Sequence, residues 1–505
     1  VTSASADSLR LRDIATAAFH DYALPAIRSE LPQVETLITV LITSSVAYGT
    51  ADSHSDLDVF IVFRTERDYR LYADALAKLI DGLRLDDVYG NVCDKGVRFE
   101  LESLPRSDLS QLYHHPKRAA QWRQQTEWLL RWFIDSVPIH DPAGVHERLS
   151  RVAGQWPAAI RQERQLAAQT RVVTWTSRAL LALDENGVTF PALRASCHAA
   201  TAGLDIAYLA ADQYAPHPKW RHTQAAGLLT GHHAAEAALA AVDHLATALA
   251  SPQDEPASLA ETLAGHRATQ APNPHEPAID WDGCLAQHAD AFTDGPTRVW
   301  VARERAPSQA FHAAARTAAG EGAHVYLAEE MGADHLRSGE RSYDRNLRVS
   351  DGLRWLAGQA LTRQDSVIQR RRWLYLNFVI WRKLRVIPKA QKRGQPLTRL
   401  WYQLQAVEHL VEAWARLHGT YSPPVGNWDA RTLSFLEQRQ IDMLTTPQAA
   451  GALRDTEAFL TWAWHEFAGI QRQLVTRGLV PHTAVDDPLA TQWDIQYWKY
   501  ENLFA

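Results

Sequence analysis

The sequence is poor in sulfur, with three cysteines and two methionines in 505 residues. Cys93, Cys197 and Cys284 are scattered thiols of odd number with no CxxC spacing. This excludes a disulfide framework and a cysteine zinc site, and it points to a reducing, cytoplasmic compartment. Apolar runs of the roughly 18 residues that span a bilayer are missing, so no membrane partner is expected. The opening residues, VTSASADSLRLRD, lack a signal-peptide core. Positive charge is not in excess either. A formal net charge of -6 disfavours a dedicated nucleic-acid coat protein and nucleic acid as a partner, while leaving room for a local basic groove. HExxH and His-x3-His spacings are absent despite 22 histidines. What is left is ordinary globular composition, 46% hydrophobic and 22% charged, long enough for about three domains. The initial Val and the Ala/Arg/Trp-heavy usage fit a GTG start in a GC-rich bacterium.

Along the chain, residues 8–34 read as a helix ending near Pro25, and the β-branched stretch 34–43 as a buried strand. A Ser/Gly/Asp-rich turn at 44–55 leads to a strand at 57–63, a helix at 66–84 and an alternating strand at 96–104. From 108 to 250 the spacing is helical almost throughout. Residues 251–281 are rich in Pro, Gln, Asp, Glu and His and read as an interdomain linker. Beyond it the order repeats loosely: strand 297–302, helix 308–319 and strand 324–330 echo 57–63, 66–84 and 97–102. Arg131-Trp132 is echoed by Arg354-Trp355, Trp175 by Trp381, Tyr214 by Tyr421 and Trp220 by Trp428. The expected fold is therefore α+β: a small mixed-sheet domain at 1–107, a helical bundle at 108–250 and the linker at 251–281. A degenerate copy of the first domain at 282–345 and a second bundle at 346–505 follow.

The chemistry concentrates between Thr43 and Val62. A strand runs into small residues that open a short helix, so backbone N–H groups converge where Ser44 and Ser45 leave room for phosphate oxygens. Asp56 and Asp58 are two residues apart and share one face of the next strand. Adjacent carboxylates repel unless a hard cation lies between them, and Mg²⁺ is the usual one. Glu100 and Glu102 alternate onto one face of the following strand. Three carboxylates beside a phosphate cradle can hold two Mg²⁺ ions on a nucleoside triphosphate.

These residues resemble the signature of the DNA polymerase beta-like nucleotidyltransferase superfamily, in its bacterial, antibiotic-modifying branch. The likeness covers about residues 37–105. Ser45 takes the signature serine, Asp56 and Asp58 the paired metal ligands, and Glu100, in Arg98-Phe99-Glu100-Leu101, the third carboxylate. Ser44 stands where the signature has glycine, which crowds the loop and weakens nucleotide binding. More weakly, Ala215-Pro216-His217-Pro218-Lys219-Trp220 resembles the segment by which antibiotic nucleotidyltransferases bring a lysine to the phosphates. The resemblance implies transfer of a nucleoside monophosphate from an NTP, ATP first, to a hydroxyl of a small-molecule acceptor, with pyrophosphate released. Glu100 is ligand, general base or both, with Glu102 its competitor. A second half without the aspartate pair would shape a cleft or form a homodimer. Two other readings stand beside this one: transfer to protein or tRNA, and a catalytically dead nucleotide-binding scaffold.

The remaining motifs read as structural. Asp52, Ser53 and His54 suit turn chemistry. Arg98 reads as an ion-pair partner of Glu100. Arg477 and His482 have the R-x4-H spacing of nuclease domains, but Gly478 and Pro481 break the helix that motif needs. The basic runs 370–372 and 389–393 read as solvated helix faces, and the 18 tryptophans as core.

Overall fold

The computed structural model describes residues 4–52, 55, 57–89, 97–103, 131, 132, 134–153, 158–216, 218–250, 256–270, 289–294, 297–302, 324–326, 366–419, 428, 433–446, 451 and 453–488. The chain is α+β, mostly helical with two small sheets. It divides into two compact units, one made of 1–162 with 211–230 and the other of 163–210 with 231–505. Among the described residues no helix is long and apolar enough to cross a membrane.

The first unit is built on a four-stranded mixed sheet of β1 (Ile38–Ile42), β2 (Leu57–Phe63), β3 (Val97–Ser103) and β4 (Val137–His140) in the order β3-β2-β1-β4. β1 pairs antiparallel with β2 and β4, and β2 pairs parallel with β3. Alternation decides the faces. Ile38, Val40 and Ile42 of β1 join Leu57, Val59, Ile61 and Phe63 of β2 in one core, which the helices Ala6–Ala17, Leu24–Glu30 and Glu66–Gly82 cover. The opposite face carries Asp58 and Phe60, both half-buried.

Several elements differ from the sequence reading. The first helix does not stop at Pro25: a π-helical segment, Ala18–Ala23, hands over to Leu24–Glu30 with Pro25 in its first turn. Pro25 thus lies inside a continuous helical run, where its missing N–H forgoes one intrahelical bond just after the π-helical segment. β1 is shorter than 34–43, because Val34 and Leu37 close turns onto Leu31 and Val34 instead. β4 lies in a stretch expected to be helical; its four residues, Val-Pro-Ile-His, are too few to show a period of two.

In the second unit, residues 251–281 are not simply a linker. The helix Pro256–Gln270 occupies their middle, with Pro256 in its first turn and Leu259, Leu263 and His266 buried along one side. Helices expected in two separate bundles pack together. Arg194 Nε meets Glu408 Oε1 at 2.6 Å, and Phe190 stacks on Trp428 at 4.8 Å. Gly203 permits close helix contact, since a Cβ there would lie 2.6 Å from His266 Cε1. Arg372, expected on a solvated face, is buried and bonded to Glu412 of the helix Pro396–Leu417. Cys197 is buried and its thiol is pushed up to about 12 by that burial, which makes it an inert core residue. The helix Thr456–Thr476 ends at Arg477 and Gly478 takes φ +65°, so Arg477 and His482 share no helix.

This unit also holds a three-stranded sheet, β5 (Ala289–Asp294), β6 (Thr297–Ala302) and β7 (His324–Tyr326), in the order β5-β6-β7. β5 and β6 are antiparallel and β6 and β7 parallel, the same succession of senses as in β1, β2 and β3. The expected helix at 308–319 lies outside the described residues, as do 282–288 and 327–345.

Candidate functional site

β1 ends at Ile42, and the next residue ties the loop to the acidic strand. The Thr43 amide donates to the Asp58 carbonyl at 2.9 Å and the Thr43 hydroxyl donates to the same oxygen at 3.4 Å. That hydroxyl is thus turned toward β2 and does not cap the helical turn Ser44–Ala47. Amides in such a first turn have no intrahelical acceptor. Ser44 is half-buried with φ +55°, a left-handed conformation costing an L-residue other than glycine about 1–2 kcal/mol. Ser45 is buried.

The helix Ala6–Ala17 holds the loop from behind. Arg12 donates to the carbonyls of Val46 at 3.0 Å and Ala47 at 2.7 Å. Ser5 accepts nothing here from Gly49 but donates its amide to that carbonyl at 2.9 Å, and its hydroxyl donates to Ala51 O at 2.7 Å. The Ala51 amide donates to the Ser8 hydroxyl at 2.9 Å. Asp52 accepts from the Ser55 hydroxyl at 2.9 Å, which is the turn role expected of it. The loop is therefore held by the helix Ala6–Ala17 and the residues just before it. Ser44→Gly should relieve the left-handed strain and raise stability by about 1 kcal/mol, read as a higher urea midpoint. An unchanged midpoint would mean that the strain is not there.

Asp58 presents a half-buried carboxylate that makes no hydrogen bond or ion pair with any described residue. Asp56 lies outside the described residues, with Ser53 and His54. On β3 the register sets Arg98 opposite Asp58, Glu100 opposite Phe60 and Glu102 opposite Val62. Glu100 is thus the diagonal neighbour of Asp58, about 7–8 Å away along the sheet, and Glu102 is one pair farther. The side chains of Glu100 and Glu102 lie outside the described residues. Among the described residues, which leave out Asp56 and the Glu100 side chain, no group of three His, Cys, Asp or Glu could hold a metal.

A second wall stands at the same end of the sheet. β4 sets Val137 opposite Ile42, so the chain enters β4 at the end of β1 that leads into Thr43, with Arg131, Trp132, Asp135 and Ser136 just before it. Trp132 packs edge-on against Phe60 at 5.1 Å, which fixes these residues over the face that bears Asp58. Arg131 Nε donates to Asp135 Oδ2 at 2.6 Å, and Arg131 Nη1 donates to Gln213 Oε1 at 2.8 Å. The ring of Trp220 lies 5.8 Å from that of Tyr48, the residue that closes the Ser44–Ala47 turn. Lys219 precedes Trp220 in the helix Pro218–Leu229, so its backbone is brought to the loop; its side chain lies outside the described residues. Burial pushes the Asp135 carboxyl up, against the opposing pull of Arg131. Burial also raises the Tyr48 hydroxyl, with Asp135 adding to the rise and Arg131 opposing it.

Tyr48, Arg131, Asp135 and Gln213 went unnoticed in the sequence as site residues. The one signal was the Arg131-Trp132 pair, which the repeat pattern picked out without giving it a role. In comparisons with known proteins, no family model matches the chain, and no curated protein matches it.

Proposed function

We propose that this chain is a nucleotidyltransferase of the polymerase beta-like kind, moving a nucleoside monophosphate from an NTP, ATP first, to a hydroxyl of a small molecule. The observation that carries the reading is the backbone of Ser44. At the position where the resemblance calls for glycine, φ is +55°, the region glycine favours, one residue beyond the Thr43 bond to Asp58. The residues fit Mg²⁺: a half-buried carboxylate with no described partner stands at the strand end, with Asp56 before it and Glu100 diagonal to it. Bound there, the ions would neutralise phosphate charge and acidify the attacking hydroxyl.

The chain's own residues do the rest. Asp56, Asp58 and Glu100 supply the oxygen ligands. The loop amides at Ser44 and Ser45, with the lysine at 219, hold the outer phosphates. The acceptor oxygen attacks the α-phosphorus, the bond to the bridging oxygen breaks, and pyrophosphate leaves. Glu100 takes the hydroxyl proton. Trp132 and Phe60 set an aromatic wall beside the acidic strand.

The C-terminal sheet supports a diverged repeat. Residues 43–56, which separate β1 from β2, are matched by only 295–296 between β5 and β6, and β6 opens with Thr297, Arg298 and Val299. Neither loop nor acid pair remains, so this copy is catalytically silent.

Incubation with each NTP, Mg²⁺ and a metabolite extract tests the reading, and acceptor-dependent pyrophosphate release is the expected result. Label appearing on a protein or RNA band instead would redirect the acceptor class. No pyrophosphate and no ATP binding would leave only a dead scaffold.

A further inference from the structure

We propose that Arg131 is a nucleotide-binding residue of this site, a guanidinium aimed by Asp135 and Gln213 so that its remaining N–H groups grip the phosphate chain of the NTP. The inference rests on the nucleotidyltransferase reading and adds a cation that the sequence resemblance does not include. Its position comes from the sheet: the β4 register delivers 131–136 to the end where Ser44 and Asp58 stand, and Trp132 on Phe60 pins the segment to the Asp58 side. The proximity to the loop is also electrostatic, since the Tyr48 hydroxyl feels both Arg131 and Asp135.

The hydrogen bonding gives the orientation. A guanidinium has five donors in a rigid fork. Nε goes to Asp135 at 2.6 Å and one N–H of Nη1 to Gln213 at 2.8 Å, while Nη2 donates to no described residue. The side chain is 11% exposed, so what remains is a nearly desolvated donor edge, the form in which arginine takes phosphate oxygens in pairs. Gln213 steers the group without neutralising it. A clamp serving only to tie residues 131–135 to 211–216 would affect melting and leave ligand discrimination unchanged.

Calorimetry on the full chain with Mg²⁺ and ATP, AMP or inorganic pyrophosphate separates the cases. Arg131→Gln should weaken ATP and pyrophosphate about tenfold or more and leave AMP within about twofold. Gln213→Leu, which keeps the Arg–Asp pair, should weaken ATP about threefold at an unchanged AMP affinity. ATP affinity equal to wild type in Arg131→Gln overturns the assignment of Arg131 alone. If that variant does not fold, Arg131→Lys decides: a point charge cannot serve both acceptors and a phosphate, so wild-type ATP affinity there overturns the assignment equally. Failure of the wild type itself to bind ATP overturns the nucleotidyltransferase reading and this inference with it.

Discussion

Asp58→Asn should lower acceptor-dependent pyrophosphate release by at least about a thousandfold while the protein melts at the wild-type temperature. The two effects separate for a structural reason. The loop is tied to this residue through its backbone, by the 2.9 Å bond from the Thr43 amide to the Asp58 carbonyl, and the isosteric amide leaves that bond in place. The Asp58 carboxylate itself bonds to no described residue, so its charge contributes little to folding. What the substitution removes is the anionic oxygen that the proposed chemistry would use as a ligand at the strand end. Asp56→Asn should behave alike in turnover. Release retained within about tenfold of wild type in either variant would sink the proposed chemistry, and a large fall in melting temperature would show that the acid serves the fold.

The second large effect is on stability. In the second unit Glu412 accepts from Arg372 through Nε at 2.9 Å and Nη2 at 2.7 Å, and from Arg416 Nε at 2.9 Å. His409 Nδ1 lies 4.0 Å away, and burial lowers the pKa of its ring against the opposing pull of Glu412. Neither arginine nor the glutamate is more than 10% exposed. Glu412→Ala leaves two guanidinium groups in a desolvated space without their shared counter-charge. The expected loss is about 3 kcal/mol, the lower end for a broken buried pair, because both arginines keep other contacts. The triple variant Arg372→Met/Glu412→Leu/Arg416→Met should recover much of it, since apolar groups of similar volume often replace a buried ionic triad at no cost. Urea unfolding reads both. A loss below about 1 kcal/mol in the single variant would mean that water reaches the arginines.

The parts of this molecule that could be read in the sequence are those whose physics is local. β2 occurs where the short apolar run after the Ser/Gly/Asp-rich turn places it, at 57–63, and β6 occurs at 297–302, where the echo of that run falls. The loop's conformation was implied by small residues between a strand and an acid pair. The structure adds that Ser44 takes on the left-handed backbone instead of a glycine. What could not be read depends on partners distant in sequence. β4 is four residues that become a strand only because β1 offers them an edge. Arg372 looks like one of three consecutive surface arginines until Glu412 arrives 40 residues later. The helix Pro256–Gln270 is hidden in a Pro-rich composition because its apolar side is only a few residues wide. Arg131 and Gln213, 82 residues apart, share no motif at all.

The first unit is discontinuous, since residues 211–230 belong with 1–162 while 163–210 do not. On the ribosome this imposes a schedule. Asp56, Asp58 and Glu100 have been synthesised once residue 100 is joined, yet Arg131, Gln213, Lys219 and Trp220 are still unmade. The N-terminal sheet must wait, half-walled, through the synthesis of two long helices. Competence to hold nucleotide would therefore come late and all at once, so a nascent chain stalled before residue 220 should emerge inert.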